Sequence, residues 1–179
     1  LTLDGEVFDG DNARENAAIW RLIELCQSNK VAWQDTLPLS KSVPVSYTEK
    51  ADEKFEMFLD NRDIPYHTSP SVIPNMNADV FLDMLRKNYE IDDTYTDTQA
   101  RLIAGVRYEL SVHGLLDSKY VFASDVTVEL ISQVVDGHYE GVKTGTASAR
   151  VYNTPYAAHI LGYIGLQSPE EYAENKEKE

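Results

Sequence analysis

Lys143-Thr144-Gly145 is the tripeptide in this sequence with the most explicit chemistry attached to it. In serine acyltransferases a Lys-Thr-Gly strand holds the substrate by its backbone, while the lysine brings positive charge to the acylated serine. Such a site is complete only with an activated nucleophile, most simply a serine three residues before a lysine, so that both side chains share one helical face. None of the twelve serines has a lysine at that spacing, and no Ser-x-Asn triplet occurs. A hydroxyl without a base to take its proton is a poor nucleophile, so Lys143 is expected to be non-catalytic. The alternative is a divergent serine acyltransferase using the Lys143-Thr144-Gly145 element, with Ser148 as the first candidate nucleophile; that reading requires Ser148→Ala to abolish acylation.

Other chemistry is thinly represented. His67, His113, His138 and His159 lie far apart, and none has a second histidine or a cysteine at metal-ligand spacing. Asp9-Gly10-Asp11-Asn12 and Asp92-Asp93 lack the alternating oxygen ligands and distant glutamate of a calcium loop, and turn chemistry with helix capping accounts for them. There is no glycine-rich phosphate loop. No cofactor and no metal are therefore expected. Cys26, the lone cysteine, excludes an internal disulfide; it sits on the apolar face of Ile19, Leu22 and Ile23, where a small buried hydrophobe is expected. With thirty acidic residues, close carboxylate pairs arise by chance, and Glu170-Glu171 belongs to a helix cap before it belongs to a catalytic dyad.

The elements that would position such residues must come from 179 residues, enough for one ordinary domain or two small lobes. A chain of this size buries roughly 70% of its unfolded surface, so neither disulfide nor metal is needed to hold a core. Apolar residues make up 42% and charged ones 26%, a globular composition. Sixteen basic residues, scattered along the chain, face thirty acidic ones for a net charge of −14. That charge repels nucleic-acid backbones and anionic lipid, so neither nucleic-acid binding nor direct membrane insertion is expected. No apolar run reaches the roughly eighteen residues of a spanning helix, and no signal peptide is expected within these residues. The chain opens at Leu1 and closes in Glu174-Asn175-Lys176-Glu177-Lys178-Glu179, so both ends are expected to be cut from a longer protein.

Helical spacing dominates the first half. A capping box at Asn12-x-x-Glu15 predicts a helix carrying Ile19, Leu22, Ile23 and Cys26. Pro38 and Pro44 bracket a loop or edge strand. Ser46-x-x-Glu49 predicts a second helix with Ala51, Phe55, Phe58 and Leu59. Pro65, Pro70 and Pro74 mark a loop. Asn77 is placed as the cap of a third helix with Val80, Phe81, Met84 and Leu85. Thr94-x-x-Asp97 starts a fourth, through Ala100, Ile103 and Ala104 to Gly114. The second half is mixed: a strand at 120–123, a helix capped by Ser124 and stopped at Gly137, and one bent strand or two strands over 139–152. A short buried segment follows at 157–163, and then a cap at Ser168-Pro169-x-Glu171. The expected fold class is α+β: a helical first half, then a small mixed or antiparallel sheet with packed helices.

Several segments occur in a familiar order: Val106-Arg107-Tyr108-Glu109-Leu110, Tyr120-Val121-Phe122-Ala123-Ser124-Asp125-Val126, Gly141-Val142, Arg150-Val151-Tyr152, Ala157-Ala158-His159-Ile160-Leu161-Gly162-Tyr163-Ile164-Gly165 and Glu170-Glu171-Tyr172. From Arg101 to Tyr172 the chain resembles the non-catalytic N-terminal dimerisation, or pedestal, module of class B penicillin-binding proteins. The family's opening Arg-Gly and Asp-Arg-Asn-Gly motif has only a loose echo in Asp4-Gly5-Glu6-Val7-Phe8-Asp9-Gly10, which places the true motif upstream. Residues 1–99 match weakly and are expected to be a helical head-like region, with 100–179 the α+β pedestal core. Strands that pair with 139–152 are left open as lying outside this chain.

The resemblance implies a parent D,D-transpeptidase that cross-links peptidoglycan through an acyl-enzyme. That domain would follow this chain, and a transmembrane helix upstream would anchor it on the extracytoplasmic face of a bacterial membrane. It also makes Lys143-Thr144-Gly145 a decoy, since the tripeptide falls inside the pedestal part. The implied partners are cell-wall synthesis proteins and the parent's own transpeptidase domain, with self-association possible in such a module. Arg107, Tyr108, Arg150, Tyr152, His159, Gly162 and Tyr163 are assigned structural or domain-linkage roles. For Arg150, Tyr152 and His159, polar residues among apolar neighbours, the alternative is contact with substrate; hydrogen bonding between the sheet and the next domain is favoured, because buried polar groups must find partners. Trp20, Trp33 and the eleven tyrosines are candidates for a partner surface or for ordinary core.

Overall fold

The computed structural model describes residues 1–48, 52–68 and 71–145. Its centre is a long helix, α4 (Asp97–Leu115), against which α1 (Asn12–Ser28), α2 (Glu53–Asp60) and α3 (Ala78–Asn88) all pack. The sequence explains this arrangement. On α4 the residues Ala100, Leu102, Ile103, Ala104, Val106 and Val112 are all buried, so the helix is apolar around most of its girth and must be enclosed. The other three carry one apolar stripe each: Ile19, Leu22, Ile23 and Cys26; Phe55, Phe58 and Leu59; Phe81, Leu82 and Leu85. Where α2, α3 and α4 meet, Phe55 lies edge-on to Phe81 at 5.9 Å and to Tyr108 at 6.1 Å, with Phe58 4.8 Å from Tyr108. Such edge-on pairs contribute beyond the area they bury.

The fold class is α+β, as the sequence predicts, and the sheets are antiparallel. β1 (Thr2–Leu3) is the middle strand of three, with β4 (Tyr120–Val121) on one side and β5 (Val142–Lys143) on the other. A second, two-stranded sheet joins β2 (Tyr66–His67) to β3 (Ile73–Pro74). The expected strand at 120–123 forms at its first two residues, and Val142–Lys143 falls within the 139–152 stretch. β1 has no counterpart in the sequence prediction; the chain's own first residues supply a partner for Val142–Lys143. Gly141 is required there, because its φ is +73° and a Cβ would lie 2.9 Å from the Asp4 carbonyl and 3.0 Å from the Phe8 ring. The main core runs from Leu3 through α1–α4 to Phe122, drawing on both sides of residue 99. A smaller cluster of Leu1, Leu130 and Val134 sits beneath α5 (Val128–Asp136).

Helix starts differ from the sequence prediction in four places, each for a local reason. At α1 the cap is Asp11, not Asn12; its carboxylate accepts from the Arg14 amide at 3.0 Å. At α2 the cap is Asp52 rather than Ser46, because Ser46 is engaged elsewhere. Its carbonyl accepts from the Ser40 amide at 2.8 Å and its amide donates to Ser40 Oγ at 3.0 Å, beside the Leu39–Tyr47 bridge. At α4 Thr94 is held in an Asx turn by Asp92, its amide donating to Oδ1 at 2.8 Å. Thr96 caps instead, exchanging bonds with Gln99 in a full capping box. At α5 Asp125 takes φ +53°, which turns the chain out of a helical path after Ser124, and Thr127 becomes the cap. Asn77 precedes α3 and Gly137 ends α5 as predicted, while α4 runs one residue past Gly114. The segment 157–163 and the cap at Ser168 lie outside the described residues.

Candidate functional site

Of the residues singled out from the sequence, Arg107 and Tyr108 are described, and both point inward from α4. Arg107 Nη1 lies 2.5 Å from Glu15 Oε2, its Nη2 donates to Asn12 Oδ1 at 2.6 Å, and its guanidinium covers the Tyr89 ring at 5.0 Å. It ties α4 to α1. Burial pushes the Glu15 carboxyl up, opposed by the neighbouring Arg107 charge, and burial lowers the Arg107 guanidinium below its ordinary value. Tyr108 ties α4 to α2 through its ring, and burial pushes its hydroxyl up. Arg150, Tyr152, His159, Gly162 and Tyr163 lie outside the described residues.

A second set on α4, not anticipated from the sequence, is spaced every fourth residue: Arg101, Gly105, Glu109 and His113. The first three face the segment 33–39. The Arg101 side chain is 1% exposed and its partner Asp35 0%, with Nη1 3.0 Å from Oδ2. Arg101 Nη2 also donates to the carbonyls of Leu37 at 3.1 Å and Leu39 at 2.7 Å. Gly105 leaves the room this requires, since a Cβ there would lie 2.5 Å from Asp35 Oδ1 and 2.6 Å from Arg101 Nη1. Glu109 Oε1 accepts from the Thr36 amide at 2.5 Å. The same segment is fixed from its other side. The Tyr120 hydroxyl donates to the Gln34 carbonyl at 2.5 Å, the Gln34 amide donates to the Phe122 carbonyl at 2.8 Å, and Trp33 stacks on Phe122 at 6.2 Å. A charge and a glycine four residues apart within the apolar stretch 100–106 were the available signal. Asp35, in a polar stretch without periodicity, gave none.

His113 brings a serine, a histidine and a carboxylate near one another. Its Nδ1 is 2.8 Å from Ser118 Oγ, while Nε2 is 3.8 Å from Glu109 Oε2. The second distance is too long for a hydrogen bond. The Ser118 amide meanwhile donates to the His113 carbonyl at 2.9 Å, so this trio closes the C-terminal end of α4. Burial lowers the pKa of His113. Lys143 stands on β5 with its Nζ 2.7 Å from Asp4 Oδ2, across the sheet edge. That contact holds the Asp4 carboxyl below its usual range. Ser148 lies outside the described residues. Among the described residues no three His, Cys, Asp or Glu side chains converge as metal ligands, and no helix is long and apolar enough to cross a membrane.

Neither a curated protein nor a solved structure matches this chain. A family model does, that of the Penicillin-binding Protein dimerisation domain, over residues 25–179. The match begins inside α1 and so takes in most of the helical region as well as the stretch from Arg101 to Tyr172. By this match, which covers most of its length, the chain belongs to the penicillin-binding protein dimerisation-domain family, a non-catalytic module.

Proposed function

We propose that the chain is the pedestal of a longer penicillin-binding protein, holding a D,D-transpeptidase domain at the working distance from the membrane and contacting other proteins of cell-wall synthesis. The match over 25–179 carries this reading. The construction of the core supports it: a helix tied to α1 by Arg107–Glu15 and to the 33–39 segment by Arg101–Asp35 suits a rigid spacer. In this reading the anchoring helix lies upstream, the chain works on the extracytoplasmic face, and the acyl-enzyme serine belongs to the downstream domain. Arg107, Tyr108, Arg150, Tyr152, His159, Gly162 and Tyr163 keep the pedestal's framework and its connection to that domain in register.

A fluorescent penicillin tests the reading. The isolated chain is expected to take up no label that survives boiling in detergent, and the longer protein that carries it is expected to label. Covalent labelling of the isolated chain overturns the assignment, and its loss in Ser148→Ala would install the acyltransferase alternative. A longer protein that fails to label removes the transpeptidase reading.

A further inference from the structure

The outward side of α5 carries two parallel rows. Val128 and Val135, seven residues apart, are 72% and 56% exposed, with half-buried Ile131 between them. Glu129 and Asp136, also seven apart and exposed, run alongside, while Leu130 and Val134 face the core. Local helix stability accounts for Glu129, an acid in the first turn at the positive end of the dipole, but not for the valines or Asp136. Exposed β-branched residues are mediocre helix formers. An acid in the last turn, as Asp136 is, opposes the helix dipole; the cation at that end, Arg21 of α1, donates to the Gly137 carbonyl at 2.9 Å and forms no ion pair with Asp136. From Tyr120 to Val142 the sequence holds no Lys or Arg but carries Asp125, Glu129, Asp136 and Glu140. Glu140 pairs with Arg14; among the described residues Asp125, Glu129 and Asp136 have no cation within ion-pair distance.

We propose that this face of α5 docks a basic amphipathic helix of a partner protein, which lays apolar residues along Val128, Ile131 and Val135 and places Lys or Arg over Glu129 and Asp136. Charge selects the occupant. A second copy would set like acids against one another between two chains of net charge −14, and anionic lipid is repelled in the same way. A helix with adjoining apolar and cationic rows satisfies both rows of α5 at once. The surface is defined by α5 whatever domain the pedestal carries, so failure of the test below leaves the pedestal reading standing.

The probe is a synthetic amphipathic helix with leucines in one row and lysines in the next, added to the full chain and followed by backbone amide chemical shifts. A version with glutamate for lysine is the control. The lysine helix is expected to shift the α5 amides, and the glutamate helix to leave them in place. Val128→Asp with Val135→Asp should remove binding. Glu129→Lys with Asp136→Lys should weaken it about tenfold at low salt and move the preference to the glutamate helix. Melting by circular dichroism checks that each variant folds, and Glu129→Gln with Asp136→Asn replaces the lysine pair if it does not. Shifts scattered over the acidic surface, or binding unchanged in the valine variants, would overturn the proposal. So would self-association, seen by sedimentation, that disappears in the valine variants, since that gives the face to a second copy.

Discussion

Replacing Gly105 by alanine sets two effects of opposite sign against each other. In a helix interior the change is favourable by up to about 1 kcal/mol, through reduced backbone entropy in the unfolded chain. Here the new methyl would sit 2.5 Å from Asp35 Oδ1 and 2.6 Å from both Asp35 Cγ and Arg101 Nη1. Neither group has room to yield. The Asp35 side chain is short and fully enclosed, and the guanidinium is pinned by two backbone carbonyls as well as by the carboxylate. Forcing a buried ion pair apart costs about 3–5 kcal/mol, because the Arg101 charge stays in the interior without its counterion, while Asp35 keeps only the half-exposed Lys41, 3.5 Å away. The net expectation for Gly105→Ala is therefore a loss of about 2–4 kcal/mol, or on the order of 10 °C in melting temperature for a chain of this size. Gly114→Ala, in the same helix but with no atom within 4 Å of its added Cβ, isolates the propensity effect and should be neutral or mildly stabilising. Urea titrations followed by circular dichroism compare the two. Asp35→Ala breaks the same pair, so combining it with Gly105→Ala should cost less than the sum of the single effects. A Gly105→Ala protein as stable as the parent chain would refute the claim that the glycine exists to admit the ion pair.

Two further expectations concern the ends of α4. Thr96→Ala deletes the capping box and should cost about 1 kcal/mol in urea titration, with Thr96→Ser retaining most of it; equal loss in both variants would mean the hydroxyl is not the stabilising group. At the other end, burial depresses the pKa of His113 from its ordinary 6.5, so on acidification the unfolded chain takes up that proton first. Its contribution is present above pH 6.5 and is lost as pH falls through the lower folded value. Stability measured at about pH 7.5 and about pH 5 should fall more in the parent chain than in His113→Gln, and equal slopes would show that the histidine is not the linked group.

Most of the helical architecture was legible because it is written in apolar spacing: the stripes at Ile19–Cys26, Phe55–Leu59 and Phe81–Leu85 all face the core. Helix starts were less legible. Asp, Asn, Ser and Thr crowd the segments before α1, α4 and α5, so several residues compete to cap, and the winner is chosen by turns such as the one Asp92 makes with Thr94. β1 carried no signal, being two residues long with partners at the far end of the fold. The polar row on α4 was half visible. Arg101 and Gly105 interrupt an apolar helix, yet the reason for both lies in Asp35, whose place is fixed only by tertiary structure. Lys143 shows the reverse: its tripeptide names a chemistry, while its amine is bound to Asp4 at the rim of the sheet.

The middle position of β1 in its sheet has a consequence for the order in which the chain folds. Thr2 is paired with Lys143, and Leu3 with Val142. That pairing closes a loop of about 140 residues, so it forms late. Helices α1 to α4 can meet well before then, since their contacts span shorter loops. The sheet is thus the closing event, a clasp fastened over a helical body that already exists, and until it fastens Leu1 and Leu3 remain uncovered.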